Sequence, residues 1–576
     1  MIVFFMYLSL KGRHDCQSLY ILKATYENGK RSSRVVEKLG SLKKLKLLHT
    51  DPMVWANEHL KILMEDAKCI SVIYNPDKPI EKGKQNSYNG GYLFLQKIYN
   101  ELKLGSICNQ ISDKYNFEFD LNEILSKLVF SRILFPASKL ATLELSKKFF
   151  EQPKFELQHI YRALEVIAKE MNLIQSQLYI NSANISTRKT NILYFDCTNY
   201  FFEIEQEANI KKYGLSKDHK PNPIVQMGLF IDEEGIPLAF NIFAGNENEQ
   251  QHMLPLEQKI LDDFKLAKFI VCTDAGLSSL ANREFNSEMD RNFVTTQSIQ
   301  KLQGHLQEWC LDQQDWKVKD SEKTYDLSTF LQTGVLPAGT SKDTIFYRER
   351  WINENDFMQR LVVTFSPKYR EYKQNIRAAH VARAEKAIKN KRVDKTRATD
   401  PKRLIKTVHA TADGEIAIHA DSHIDKTVIE GEAKYDGFYA ICTSLEISAA
   451  EVLKIARQRW EIEECFRIMK SELKARPVFL RLEDRIKAHF TTCFIALIIY
   501  RFLEKRVNTN QQHFTCETII DELREMNFTK VPKEGYIPAY TRTAFTDALH
   551  ERFNFRTDRE ILTTSKLQSI IRETKK

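Results

Sequence analysis

No two of the chain's ten cysteines form a CxxC pair. Cys16, Cys69, Cys108, Cys197, Cys272, Cys310, Cys442, Cys465, Cys493 and Cys516 are scattered singly, several of them inside apolar runs. With no such pair, they read as reduced core thiols of a cytosolic protein. The apolar opening MIVFFMYLSL has no basic segment before it and no small-residue cleavage site after it, so a strand is expected there rather than a signal peptide. A membrane span is also missing, because the apolar run Phe490–Tyr500 falls far short of the roughly 20 residues needed to cross a bilayer. There is no repeat, no low-complexity tract and no segment whose composition denotes disorder. What is present is a 576-residue chain, too long for one core, with 85 Lys+Arg against 76 Asp+Glu. That balance permits a polyanionic partner without requiring one, so the placement of charge has to decide.

Residues 1–50 alternate apolar and polar around turns at Lys11-Gly12 and Asn28-Gly29, which predicts a small β unit. Over 88–188 the spacing becomes helical, as in YLFLQKIYNELK and EILSKLVFSRILF, and predicts an all-α domain. From Asn191 a β-type run, ILYFDCTNYFFE, carries Asp196 near its end. PIVQMGLFI and IPLAFNIF follow, joined by the hairpin signal Asp232-Glu233-Glu234-Gly235. A helix from about Met253 to Phe264 leads to the strand AKFIVCT, which runs directly into Asp274-Ala275-Gly276. A long stretch of β-like segments then encloses one very basic helix, about Lys368 to Arg392, which holds Lys386, Lys389 and Arg392. Composition alone also allows this helix to be a solvated surface helix.

The segment Ser448–Leu473 predicts a single helix opened by a Ser448/Glu451 capping box. Ile455, Ile462, Phe466, Met469 and Leu473 superpose into an apolar stripe, and Arg459, Glu463 and Lys470 line one edge of it. Of its glutamates only Glu463 is expected to have a buried flank, with Glu461, Glu464 and Glu472 pointing elsewhere. The bland alternative is an ordinary i,i+4 pair between Arg459 and Glu463, worth a few tenths of a kcal/mol. Likewise Asp196 and Asp274, taken singly, read as turn or cap residues. Together they read differently, because an aspartate at the end of a buried strand needs a hydrogen-bond partner or a cation. If the two strands are neighbours and the helix packs across them, Asp196, Asp274 and Glu463 converge. Three oxygen donors without His or Cys nearby favour Mg²⁺ or Mn²⁺ over zinc, and two such ions about 3.5–4 Å apart suit in-line phosphoryl transfer. His419 and His423, in IAIHADSHID, read as surface histidines of a strand and turn rather than a metal pair. Glu203, Lys217 and Asp218 read as surface polar residues.

This order of elements resembles a DDE-type transposase of bacterial insertion sequences. Arg459-x3-Glu463-x6-Lys470 looks like the signature of the insertion-sequence-four type, with Ala456 where that signature has tyrosine. Asp196-Cys197-Thr198 and Thr273-Asp274-Ala275-Gly276-Leu277 are similar to the family's two aspartate motifs. Tyr213-Gly214-Leu215-Ser216-Lys217-Asp218, Gly245-Asn246-Glu247-Asn248-Glu249 and Asp436-Gly437-Phe438-Tyr439 are similar to other family segments.

The resemblance, which runs to about Arg506, implies an α/β ribonuclease H-like catalytic core in two parts, 189–304 and 441–510, interrupted by a β-rich insertion over 305–440; beyond it, residues 511–576 read as helical and basic from their own pattern. It implies Asp196 bridging two Mg²⁺ or Mn²⁺ ions, with Asp274 holding one and Glu463 the other. Arg459 and Lys470 would grip phosphates, and the basic helix, with Lys386, Lys389 and Arg392, would contact DNA backbone. Lys30, Arg31 and Arg34 are candidates in an end-binding N-terminal region. Trp351 is expected in a core, with stacking on a flipped base as the alternative reading. Partners would be double-stranded DNA and a second copy in a synaptic homodimer. No membrane would be involved, and the expected setting is the bacterial cytoplasm at the nucleoid. Two other functions remain open: a ribonuclease H-like nuclease without strand transfer, and a non-cleaving DNA-binding protein derived from a transposase.

Overall fold

The computed structural model describes residues 4–13, 17–27, 30–66, 76–77, 79–391, 393, 400–410, 416–532 and 534–576. The Asn28-Gly29 turn, Arg392 and the side chains of Lys30, Arg31 and His419 lie outside the described residues. The chain divides into two compact units, Met1–Asn86 with Lys530–Ile537 and Ile561–Thr564, and the remainder.

The first unit is built on an antiparallel sheet of Phe4–Lys11, Ser18–Glu27 and Lys30–Ser41. Strict alternation would bury every second residue of the middle strand. A register shift between Ile21 and Leu22 changes the face, so Leu19, Ile21, Leu22 and Ala24 are all buried. Helices Leu42–Leu48 and Pro52–Asp66 follow, and Leu45 and Ala56 close a small core on Leu19. Arg34 is exposed on the third strand.

The second unit holds a mixed sheet of ten strands. Third from one edge, Ile192–Phe201 pairs antiparallel with Ile224–Ile231, which pairs antiparallel with the edge strand Pro237–Ala244. On the other side Ile270–Thr273 and then Asn292–Gln297 are added in parallel. The first hairpin is closed as its sequence predicts. Gly235 sits at φ +74, and the Asp232 carboxylate accepts from the amides of Glu234 and Ile236 while Arg188 pairs with it at 2.6 Å.

The two faces of Ile192–Phe201 do different work. Leu193, Phe195 and Cys197 pack on helix Met253–Phe264. Tyr194, Asp196, Thr198 and Tyr200 face the other way, where Tyr200 meets Phe490 of helix Glu483–Val507 with ring centroids 4.8 Å apart. That helix extends well beyond the apolar run seen in the sequence. Its length and composition would admit a membrane span, but 94% of its apolar window is buried inside the protein, so it is a core helix. Helices Leu121–Leu134 and Leu157–Lys169 pack on it too, which joins the helical region to the sheet in one unit.

Most strands of the β-rich insertion continue this sheet, while Ile405–Ala410 and Ile416–Ile424 pair as a separate two-stranded sheet. Phe357–Phe365 pairs with Phe438–Thr443, which pairs with Asn292–Gln297. The hairpin Phe346–Glu354/Phe357–Phe365 turns at Asn355-Asp356, both at positive φ, the geometry that matches strand twist. Trp351 is 44% exposed on this hairpin, which corrects the expectation of a core tryptophan; Glu349 and Asn353, on the same side of the strand, are exposed with it. The C-terminal region is helical over Cys516–Glu525, Ala544–Phe553 and Thr564–Thr574, but it also contains the strand Asn527–Val531, which pairs with Ser87–Asn89. His423 is exposed on the strand Ile416–Ile424.

Candidate active site

Asp196 lies in the middle of its strand, not near the end as the sequence suggests. Its neighbour strand is short. The parallel register runs Ile192↔Ile270, Leu193↔Val271 and Tyr194↔Cys272, and two further steps set Asp196 opposite Asp274 just past that strand's end. The notch so formed holds two carboxylates. Asp274 Oδ1 accepts from the amides of Gly276 and Leu277 at 2.9 and 3.1 Å, so it is also the turn residue that the bland reading proposed. Burial pushes the Asp196 carboxyl up to about 6, Lys217 opposes that rise, and the charge of Asp274 adds to it. Two like charges in one notch are relieved by a proton or a cation.

The segment Ser448–Leu473 is not one helix. Helix Ala449–Arg457, opened by the expected capping box, is followed by Trp460–Ser471. Between them Glu461 N bonds Gln458 O and Ile462 N bonds Arg459 O, a tighter i,i+3 turn. The apolar stripe survives, with Ile455, Ile462, Phe466, Met469 and Leu473 all buried. Three contacts lay this segment along the Asp196 face of the strand. Tyr194 donates to Gln458 at 3.1 Å, Lys470 donates to Thr198 at 2.6 Å, and Tyr200 meets Met469 Sδ at 3.6 Å. Asp196 therefore sits between residues tied to Gln458 and to Lys470, and Glu463 lies between those two on the helix.

The environment of Glu463 corrects the sequence reading. Its side chain is 59% exposed, more than those of Glu461, Glu464 and Glu472, and it pairs with Arg459 at 3.0 Å. Glu461 instead pairs with the buried Arg501. Among the described residues no three His, Cys, Asp or Glu side chains stand close enough to hold one metal ion. Asp196 and Asp274 are thus brought together, while Glu463 stands at the rim held by Arg459, whose charge also acts on Asp196.

Lys217, read from the sequence as a surface polar residue, is folded onto the site. Asn199 anchors the loop after Tyr213, donating to Leu215 O at 3.0 Å and accepting from Lys217 N at 3.1 Å. Lys217 Nζ thereby reaches Cys197 O at 2.5 Å and pairs with Glu249 at 3.2 Å. Gln250 donates to Gly276 O at 2.8 Å, so the Gly245–Glu249 segment leads into a contact that braces the Asp274 turn. Lys470, pulled down to about 8 by burial and by Lys217, lies 5.6 Å over the Tyr200 ring. Asp218 pairs with Arg476, and the backbone amide of Glu203 bonds Val478 O at 3.2 Å.

The basic helix is Pro367–Lys389. Lys373, Arg377 and His380 line a cleft of about 660 Å³ that reaches Ala275 beside Asp274 and includes Tyr439. Arg377 is fixed by Asp436 of the Asp436–Tyr439 segment, and burial pushes the Tyr439 phenol up to about 12 against the charge of Arg459. Lys386 and Lys389 are exposed nearer the helix C-terminus and do not line that cleft. Counting charges could not find the correct face, because a helix with almost no apolar stripe gives no phase.

The family described as "Transposase DDE domain" matches residues 201–499, more than half of the chain. The match includes Asp274 and Glu463 and begins five residues after Asp196, which the strand register places independently. No curated protein matches. Among solved structures the chain is similar to one titled as the cryo-EM structure of a piggyBac transposase synaptic complex with hairpin DNA, at 8% identity and a TM-score of 0.35 over 84% of each chain. A likeness at that level is too low to define a shared fold.

Proposed function

Because the chain belongs to the transposase DDE domain family, we propose that it cleaves DNA at insertion-sequence ends and joins them to target DNA by two-metal phosphoryl transfer. The reading rests above all on the placement of Asp196 opposite Asp274, with the Glu463 segment stapled along the same strand face. A ribonuclease H-like core is supported by the strand order, three antiparallel strands with two more added in parallel beside the first. The insertion-sequence-four type is supported by Arg459, Glu463 and Lys470 at the signature spacing.

The donor set suits hard divalent ions. Asp196 and Asp274 repel each other in a half-buried notch, and all the candidate ligands are oxygens. Asp196, Asp274 and Glu463 would hold two Mg²⁺ or Mn²⁺ ions, and Glu463 would leave Arg459 to do so. When bound, such a pair activates the attacking oxygen and stabilises the leaving one. Arg459, once released, faces the phosphate at the cut. Lys470, positioned by Thr198, grips the neighbouring phosphate through a charge-assisted contact. Lys217 keeps the two aspartates from adding their full negative charge to an approaching phosphodiester. The DNA is double-stranded and runs into the cleft lined by Lys373 and Arg377. A homodimer would synapse the two ends, in the bacterial cytoplasm at the nucleoid.

A strand-transfer assay separates this reading from a nuclease. With Mg²⁺, duplexes carrying the element ends are expected to give cut products and then products joined to a target plasmid. Cutting that never leads to joining, on pre-cut ends as well, would leave a nuclease. No cutting with either ion would leave a DNA-binding protein.

A further inference from the structure

Lys139 is 7% exposed, opens the helix Lys139–Ser146 and lines a cavity of about 340 Å³. No hydrogen bond or ion pair reaches its ammonium group among the described residues, and no carboxylate acts on it. Its buried charged neighbour on the same cavity is Arg132, 6% exposed, whose Nη1 donates to Leu473 O and Lys474 O while its Nε lacks a partner. His489, also on the wall, is driven neutral by burial and by these two cations. Burial and Arg132 together pull the Lys139 amine down to about 7. Keeping both groups charged without an anion costs several kcal/mol, a cost that an anionic ligand would offset.

The rest of the wall combines apolar Pro136, Pro477 and Val478 with the exposed Lys474 and with Arg476, which pairs with Asp218, and Phe479 stands 66% exposed at the rim. An inorganic anion would satisfy the cations and leave this wall wet. A ligand with an anionic end and a flat apolar end would satisfy both. Val478 bridges to Phe202, six residues beyond Asp196 on the same chain, about 20 Å at 3.3 Å per residue. That distance is about six base-pair steps.

We propose that this cavity is a nucleotide site, in which Lys139 and Arg132 hold a phosphate ester and Phe479 stacks on its base. The occupant is a nucleotide of the DNA substrate or a free mononucleotide; the first source rests on the transposase reading, and the second does not.

The test uses the full chain in a chelator, so that binding at the carboxylates cannot contribute. Inorganic phosphate, dAMP and a 12-nucleotide single strand are titrated against wild type, Lys139→Met and Phe479→Ala, reading both affinity and melting temperature. dAMP or the oligonucleotide is expected to bind wild type at least 10-fold more tightly than phosphate does. Lys139→Met should lose 10-fold or more of the affinity for all three probes. It should also melt higher than wild type in phosphate-free buffer, because an apolar chain replaces an unpaired charge. Phe479→Ala, a change at an exposed position, should weaken the nucleotide probes and leave phosphate unchanged. Tight binding of the oligonucleotide with weak dAMP assigns the site to the DNA strand, and the reverse assigns it to a free nucleotide. Equal affinities in wild type and Lys139→Met, or no binding of any probe to wild type, overturn the site. Should Lys139→Met not fold, unchanged nucleotide affinity in Phe479→Ala overturns it. These outcomes do not depend on whether DNA is cut.

Discussion

Asp196→Asn is expected to abolish DNA cleavage, by at least 10³-fold, and at the same time to raise the melting temperature of the metal-free protein. The rate loss corresponds to about 4 kcal/mol of transition-state stabilisation. The gain in stability has a separate cause. Asp196 carries its charge in a half-buried notch beside Asp274, and burial holds its carboxyl at about 6 against an ordinary value of 3.8. The native state therefore binds this proton more tightly than the unfolded chain does. Its stabilising contribution is complete below about pH 4 and is lost as pH rises through about 6. Above that, the wild type bears the cost of the charge and the amide does not, a difference of about 1–2 kcal/mol once partial exposure is allowed for. Glu463→Gln should behave differently, losing cleavage to the same degree with little change in melting, because its side chain is exposed. Wild-type cleavage by either variant in Mn²⁺ would remove that residue from the mechanism.

Arg501→Met is expected to destabilise the protein by about 3–5 kcal/mol, the usual cost of stranding buried charge. Arg501 is 5% exposed and joins three elements. Its Nε donates to Gly235 O at 3.0 Å, and its guanidinium pairs with Glu504 at 2.6 Å and Glu461 at 2.5 Å. Removing it leaves two carboxylates in the interior and unties the Glu463 helix from the hairpin turn, so cleavage should fall with stability. Gly235 leaves no room for compensation, since a Cβ there would stand 2.3 Å from Arg501 Nη2. Replacing Arg501 and Glu461 together by apolar residues should recover part of the loss. Chemical denaturation of the three proteins measures both effects; a loss below about 1 kcal/mol in Arg501→Met would mean that solvent reaches the cluster.

The sequence carried the hairpin at Asp232–Gly235, helix Met253–Phe264 and the capping box at Ser448, because each is a local signal of turn chemistry, period or cap. It carried Asp196 and Asp274 as strand-associated acids, and the register then paired them. It did not carry the break at Gln458–Arg459, which no Gly or Pro marks, or the exposure of Glu463 that accompanies it. Trp351 was misplaced because period two fixes which residues share a face and not which face is covered. Lys217 was passed over because its role depends on Asn199 folding a distant loop onto the strand, a contact without a sequence period. The pairing of Arg501 with Glu461 spans 40 residues and was equally invisible.

The central claim is that three carboxylates share two divalent ions. Anomalous scattering from Mn²⁺ in crystals of the protein bound to an element end tests it directly. The account predicts two peaks about 3.5–4 Å apart, flanked by Asp196, Asp274 and Glu463, with Glu463 released from Arg459. Manganese bound elsewhere, with Glu463 still paired to Arg459, would contradict it.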